Sequence, residues 1–552
     1  MSLSERSSFL VTSGSPSLPP VKTDFGYIFA EDNRFLCACS KSGQNLWLVH
    51  TGKINSFSVN DSGFTFVITQ GGDLILINPS GKVLWRKYTQ FVPKNVPVCT
   101  SEGRVYVSSE DTVSAFGLGS IYKWSVTTPL QTDVPPVLMN DQSLLIFIQN
   151  ENQSITQAER FSMYGKKIEE ITFNGKLIKS FSTSDQIFLL FEDGTIKAIN
   201  VKNNANIISK IDVLWENSKI KSDFNTKILR INSEKTAFII PSKKILIIEN
   251  NSGKILNKIN ISEIKNDIFY ADLFNDCFFL MDDSICALYS QDGNLLNCFD
   301  ITKIRKKYPY KYALLHNDGK LHLFSEDWTI NIFNLFSQNN EKKDSEKNQF
   351  NYIIPYKDNI SFNYTKNPVI QDFSKISPNL QNSGYAEQEI EITKYCLSVI
   401  DNKLNKNTTV ERNFSYSDQI INEFSPSYYD SLFKLCTVMQ NSTLQEKFIE
   451  IFNNETDSLI LSKALEAASF YPYDPDLKML KSLEKLIRNT NPKEKLILKN
   501  AAFLVYEISQ FMGKPSFCAY GKHILSDLFR PQYDVKLKEF VRSLYQKLAD
   551  TK

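Results

Sequence analysis

The 552 residues carry 63 Lys and Arg against 61 Asp and Glu, a formal charge of +2, with 42% hydrophobic and 12% aromatic side chains. At about 150 residues per domain the length predicts two to four domains, and the apolar content excludes a globally disordered chain. The charge balance excludes the bulk basic surface of a dedicated nucleic-acid binder, and four histidines leave little for metal or acid–base chemistry.

The chain starts with MSLSERSSFLVTSGSPSLPP, which is polar and holds no hydrophobic signal core. A Met-Ser-Leu start is also what remains when a natural leader has been trimmed, so this route leaves the compartment open. No stretch approaches the roughly 18 apolar residues that a spanning helix needs. The nine cysteines are odd in number, follow no regular spacing and include no CxxC pair. That pattern argues against a disulfide framework, a zinc ribbon or a thioredoxin-type site. Cys37 and Cys39 share one face of a strand and read as small buried apolar side chains.

Three tryptophans set a repeat register. SGQNLW ends at Trp47, SGKVLW at Trp85 and GSIYKW at Trp124, in steps of 38 and 39 residues. Weaker copies place Glu169, Ser209, Asn257 and Asn297 in the same slot, and a last unit, LHNDGKLHLFSEDWTINIFNLF, follows without a clean SGxxLW. Each unit opens with a β-rich run such as GFTFVIT (63–69) or QIFLLF (186–191). A turn follows, then a second run such as DLILINP (73–79) or KILIIEN (244–250), then a tight SG or DG turn. Short strands bounded by turn residues predict antiparallel meanders, and a period near forty residues predicts propeller blades. The tight-turn glycines Gly43, Gly81, Gly253 and Gly293 supply a positive φ without steric cost. Trp47, Trp85 and Trp124 then fold over the neighbouring blade, each burying roughly 150–250 Å²; a tryptophan floor for a ring-shaped cofactor is the functional alternative. Slot counting gives eight blades, or seven if two weak repeats merge. The segment SSFLVTSG (7–14) is expected to lend an outer strand to the last blade and close the ring.

The order second strand, SG or DG turn, LW resembles the PQQ-like propeller repeat over about residues 15–337. The resemblance implies kinship with quinoprotein dehydrogenases or with the non-catalytic BamB-type lipoproteins of outer-membrane assembly. The cofactor-binding branch fits poorly: its adjacent cysteine pair has no counterpart, since Ala38 separates Cys37 from Cys39, and no clear carboxylate and amide set stands for its calcium site. No cofactor is therefore expected. WD-repeat propellers share the period, but the Asp/Trp neighbours here, Asp327-Trp328, run in reverse order.

Few residues of this half offer chemistry. His50 reads as a turn residue. His316 and His322 approach each other across an Asn-Asp-Gly turn, which reads as a solvated hairpin, with a metal pair the alternative. Asp282-Asp283 sits in a turn, where Asp is favoured for local hydrogen bonding. KIRKKYPYKY (303–312) interleaves Lys303, Arg305, Lys306, Lys307 and Lys311 with Tyr308, Tyr310 and Tyr312. Such a segment can meet an anionic lipid surface or a single-stranded nucleic acid; solvated charge on an inter-blade loop is the plainer reading. No GxGxxG, Walker loop, HExxH, GxSxG or kinase signature occurs, so no catalytic, cofactor-binding or metal residue is assigned.

Composition changes after Phe336: SQNNEKKDSEKNQ (337–349) is polar and aperiodic, and NYIIPYKDNISFNY (351–364) is rich in aromatics. From about Tyr385 the apolar period lengthens to roughly 3.6. Helices are expected near 386–403, 426–440, 443–453, 457–470, 475–489, 492–512, 516–529 and 533–549. Ser425-Pro426, Asp474-Pro475 and Asn491-Pro492 each set a capping side chain before a first-turn proline, and Asn491 with Glu494 resembles a capping box. Leu477, Leu480, Leu483 and Ile487 form one stripe; Leu496, Lys499 and Phe503 begin another that continues through Leu504, Ile508 and Phe511. His523 reads as a helix boundary residue. The spacing of helix pairs resembles HEAT or armadillo repeats, with a compact bundle as the alternative.

Together these features predict an all-β propeller over 1–337, a polar and aromatic linker over 338–384 and an all-α helical-repeat domain over 385–552. A propeller face and a helical groove are surfaces for holding other proteins. The expected function is a non-catalytic interaction scaffold, with an anionic membrane surface as a further partner and no specific nucleic acid. The BamB-type resemblance implies the periplasm or cell envelope, and the free-looking cysteines weigh against it. Two alternatives stand beside it: a cytoplasmic propeller plus α-solenoid scaffold of trafficking-coat type, and a degenerate quinoprotein or propeller hydrolase.

Overall fold

Eight four-stranded antiparallel sheets follow one another in the computed structural model, over 16–50, 54–88, 98–127, 137–174, 177–217, 227–260, 270–300 and 310–334, the last completed by Ser4–Val11. The described residues are 4–335 apart from 12–15, 101–102, 140, 151–154, 184–185, 203–209, 219, 221, 304–307 and 327–328, then Phe433, Cys436 and 442–549. Within a blade each strand pairs with the next in sequence, and the first strands of neighbouring blades pack on one another around the centre. The first strand of blade 8 reaches that of blade 1, so the ring is an eight-bladed propeller and the seven-bladed alternative falls. Ser4–Val11 pairs antiparallel with Thr329–Asn334. It covers a sheet edge whose amides and carbonyls would otherwise lack partners.

The strand chemistry follows from position in the blade. Thr65–Thr69 and Ile187–Phe191 are buried at every residue, because second strands meet blades on both faces. The fourth strand Asn45–His50 mixes buried and exposed positions, because it forms the rim. In seven blades the pairing of third and fourth strands slips by one residue near the tight turn, as at Ala38/Cys39, Leu76/Ile77 and Ala115/Phe116. Such a bulge re-aims the side chain beside it. Trp47, Trp85 and Trp124 pair with Ala38, Leu76 and Ala115 right at these bulges.

Six α-helices follow among the described residues: α1 Ser442–Asn454, α2 Ser458–Ala468, α3 Lys478–Asn489, α4 Lys495–Met512, α5 Pro515–Ser526 and α6 Val535–Ala549. They pack on partners one or two places along the chain: α1 on α2 and α3, α4 on α2, α3, α5 and α6, and α5 on α6. Asp457 caps α2 by accepting from the Leu459 and Ile460 amides. Two other starts lie about three residues beyond the expected ones. The Asp474 carboxylate accepts from the Met479 and Leu480 amides across an intervening turn, in which Leu477 takes a φ of 61°, so Pro475 precedes α3. Asn491 binds the Lys493 amide, and its carbonyl accepts from the Glu494 amide; that closes a turn in place of a capping box.

In α4 Leu504, Ile508 and Phe511 are buried as the expected stripe requires, together with Leu498, Ala501 and Val505, whereas the stripe's first members Leu496 and Phe503 face solvent. Two apolar rows compete on this helix, and the small Ala501 and Ala502 allow close approach of neighbours on one of them. The helices expected at 386–403 and 426–440, the Ser425-Pro426 cap and the linker at 338–384 lie outside the described residues, save Phe433 and Cys436, which are helical and buried.

Candidate functional site

The tryptophan slot is an inter-blade strap. Trp47 Nε1 donates to the Pro79 carbonyl at 2.9 Å, Trp85 Nε1 to Leu118 at 2.6 Å and Trp124 Nε1 to Met163 at 2.9 Å, each acceptor lying in the next blade's tight turn. The ring covers that turn's glycine: a Cβ on Gly81 would stand 2.4 Å from Trp47, and one on Gly253 2.5 Å from Trp215. Gly43 faces Ile332 of blade 8, and Gly293 faces Ile259 of blade 6. The fifth slot belongs to Trp215, whose Nε1 donates to the Asn250 carbonyl at 2.6 Å, and not to Ser209, which lies outside the described residues. The longer connection between the third and fourth strands of that blade displaces the slot by six residues. Elsewhere polar groups do the same job. Asn257 Nδ2 donates to the Gln291 carbonyl at 3.0 Å, and Glu169 accepts from the Ile211 amide at 2.9 Å while pairing with the buried Arg160.

His316 and His322 do meet, with ring centroids 4.8 Å apart, but both are buried, which overturns the solvated hairpin. Their hairpin lies against blade 1, where the Tyr27 ring is 4.7 Å from His322 and the Lys41 carbonyl is 3.2 Å from its Nε2. Burial pushes His316 down to about 4 and His322 down to about 3. Among the described residues no group of His, Cys, Asp and Glu is arranged to hold a metal ion. Cys37 and Cys39 sit in the same packed layer, with sulfurs 3.9 Å apart. His50 ends a rim strand against Phe35, and His523 is exposed on α5 near Glu484. Asp282 accepts from the Ser284 and Ile285 amides, the local turn bonding its residue type favours.

The basic and aromatic segment leads from blade 7 into blade 8. Lys303 ends a short 3₁₀ turn, Ile301–Lys303, while Arg305, Lys306 and Lys307 lie outside the described residues. Tyr308 is exposed, Tyr310 opens the strand Tyr310–Leu315 half-buried, and Lys311 Nζ lies 5.6 Å from the Tyr312 ring centre. Inter-blade loops and second-to-third turns emerge on one face of the ring, first-to-second and third-to-fourth turns on the other. Lys303 and Tyr308, in this inter-blade connection, belong to the loop face. So do exposed Val92, Val96 and Leu130, on two neighbouring loops joined by a 2.8 Å ion pair between Lys94 and Asp133.

The helical domain seats on the opposite, turn face. Phe64 of the first turn in blade 2 is fully buried between Tyr473 and Phe511, at 5.9 and 5.3 Å. Ser62 Oγ and Tyr473 Oη are 3.1 Å apart. Asn78 Nδ2 donates to the Gln510 and Phe511 carbonyls at the end of α4, and Gly513, at a φ of 62°, lets that end come close. One apolar core runs from Phe66, Trp85 and Leu118 of blades 2 and 3 into Leu465, Leu480 and Val505 of the helices. Lys82 faces Glu507, whose carboxyl burial pushes up to about 7 against the pull of Lys82 and Lys547.

Two cavities open along this seam and meet at Lys514. One, of about 360 Å³, lies between Phe25, Leu46, Trp47, Pro79, Pro515 and Phe517. The other, of about 440 Å³, is lined by Asp61, Glu446, Tyr471, Tyr473, Asp476 and Lys478 among others. Sequence reasoning missed the seam. Its only signal was the helix-breaking YPYDP stretch (471–475), which reads as an ordinary loop until Phe64 is seen against it.

No family model matches the sequence, and neither does any curated protein. Among solved structures the chain is similar to BamB from Moraxella catarrhalis (11% identity, 60% of this chain and 100% of that one, TM-score 0.44). It is also similar to Saccharomyces cerevisiae Sqt1 (11%, 59% and 95%, 0.43) and to the C-terminal WD40 domain of Sif2 (9%, 61% and 99%, 0.46). At these values the likeness carries no function from any of them to this chain.

Proposed function

We propose that this chain is a non-catalytic protein-interaction scaffold: a PQQ-like propeller of BamB type joined to a HEAT- or armadillo-like helical domain, at work in a bacterial cell envelope. The observation that carries the scaffold reading is the shared core. A helical domain set into two blades by Phe64, Asn78 and a continuous apolar cluster holds two partner-binding modules at a fixed angle. The polar straps tie neighbouring blades together, and the buried histidines lie in the contact of blade 8 with blade 1. Contacts of helices one and two places apart favour the repeat reading of the helical half. The basic loop at 303–312 supplies the anionic-membrane contact, and the envelope assignment rests on the repeat resemblance.

Crosslinking of the full chain in native membranes, followed by recovery under denaturing conditions, tests the scaffold. Defined protein partners are expected; recovery of none defeats the reading. A cytoplasmic trafficking-type scaffold is the second reading, favoured by the thiol state of Cys37, Cys39, Cys99, Cys277, Cys286, Cys298 and Cys518. Cell fractionation of the native protein separates the two. A degenerate quinoprotein is tested by absorption spectra of the protein mixed with quinone and calcium, where a bound chromophore would overturn the non-enzyme reading.

A further inference from the structure

We propose that the seam between propeller and helices is a peptide-docking groove for an extended segment of a partner protein, one that carries an apolar anchor and, a few residues away, a Lys or Arg. The inference deepens the scaffold reading and rests on it. The first cavity is walled by Phe25, Leu46, Trp47, Pro79, Pro515 and Phe517, groups that accept an aliphatic or aromatic side chain and offer it few polar partners. Its volume of about 360 Å³ suits one large side chain with adjoining backbone. Trp47 and Phe517 are held by the strap and by α5, so the walls stand formed before a ligand arrives.

The second cavity is acidic. Asp61, Glu446, Asp474 and Asp476 face Lys478 and Lys514. Lys478 is 3.7 Å from Glu446, and Lys514 points at Asp24 on the other side, 3.8 Å away. Asp61 and Asp476 therefore have no cation within ion-pair distance among the described residues, although both are exposed to the cavity mouth. Asp474 is 3% exposed, and burial raises its carboxyl even though it accepts helix amides. A guanidinium or ammonium entering here offsets one of the carboxylate charges that Lys478 and Lys514 leave in excess. Lys514 borders both cavities, so one extended strand can occupy both in succession.

The test uses the full chain on an array of immobilised nonapeptides in which Phe or Leu stands one to four positions from an Arg pair. Matched peptides carry Glu for Arg or Ser for the apolar residue. Retention at least tenfold above both controls is expected. It should be lost in Asp61→Lys/Asp476→Lys, which reverses charge at two exposed positions, and in Ser516→Trp, which fills the first cavity from its exposed side. Asp193→Lys, on the loop face, should bind as the parent does. Equal signal on all three peptide sets, or binding unchanged by both seam variants, overturns the proposal. Retention of peptides copied from residues 337–384 of this chain in place of the basic set overturns the partner assignment as well. Partner recovery from native membranes distinguishes the two levels. If Asp61→Lys/Asp476→Lys recovers the parent's partners, the groove fails and the scaffold stands; if the parent recovers none, the scaffold itself fails.

Discussion

At the scale of single residues, two positive-φ glycines, one in a tight turn and one in an inter-blade connection, separate two effects that sequence alone runs together. Gly81 and Gly52 have nearly the same φ, 84° and 88°, so both hold a conformation L-residues resist. An added Cβ at Gly52 meets nothing within 4 Å, while one at Gly81 meets the Trp47 ring at 2.4 Å. Gly52→Ala should therefore cost about 1 kcal/mol, the backbone term alone. Gly81→Ala adds overpacking against a rigid indole, typically another 1–3 kcal/mol. Chemical denaturation of the two variants checks this, and equal losses would remove Trp47 from the account of the turn. The same residues show what was legible. Trp47, Trp85 and Trp124 announced themselves because a rare aromatic recurred after the same turn. Glu169 and Asn257 stood in register too, but nothing in their letters says that a carboxylate or an amide makes the strap there. Trp215 escaped because a lengthened hairpin moved it out of step.

At the scale of elements, the blade 8 hairpin closes the ring against blade 1 with two neutral imidazoles. Unfolded, each takes up a proton near the ordinary 6.5; folded, only near 4 for His316 and near 3 for His322. Burial is the main cause for both; Lys22, Lys41 and Lys320 add to it at His316 against Asp318, and His316 and Lys320 add to it at His322 against the hydrogen bond to the Lys41 carbonyl and Asp318. The unfolded chain thus binds more protons over that interval. Stability is full above pH 6.5 and falls as the pH drops toward 4 and 3, by about 1.4 kcal/mol per pH unit for each histidine. Urea unfolding at pH 7.5 and pH 5 should show this slope, and His316→Gln/His322→Gln should flatten it; an unchanged slope in the double variant would assign the effect to other groups. The hairpin pairing of the two residues was readable from their spacing about an Asn-Asp-Gly turn. Their burial was not, because it comes from Tyr27, which belongs to blade 1 at the far end of the propeller sequence. Helix ends show the same limit. Asp474 was recognisable as a capping residue, yet its carboxylate reaches over an extra turn, which moves the first helical residue to Lys478.

At the scale of the whole molecule, the two halves were legible as a propeller and a helical domain, since each has its own period, whereas their union was not. Ser62, Phe64 and Asn78 occupy turns whose counterparts recur in other blades; only the helices opposite make blade 2 different. The union has its own pH dependence, opposite in sign to that of the ring closure. The Glu507 carboxyl rises from 4.5 to about 7 on folding, so its contribution is intact below 4.5 and is lost as the pH climbs through 7. Glu507→Gln should raise the melting temperature at pH 8.5 and leave it unchanged at pH 4.5; equal shifts at both would show that the carboxylate titrates normally. The shared core makes a further demand. If Phe64 is the wedge that joins the halves, Phe64→Ala should cost about 3–5 kcal/mol, as for other buried aromatics, and the loss should fall on the junction more than on either half. Calorimetry should then resolve a single transition into two, with the helical half melting first, because it gives up part of its apolar cover while the propeller keeps its closed ring. A variant that melts in one transition, merely lower, would mean that Asn78 and the remaining core suffice to hold the halves together.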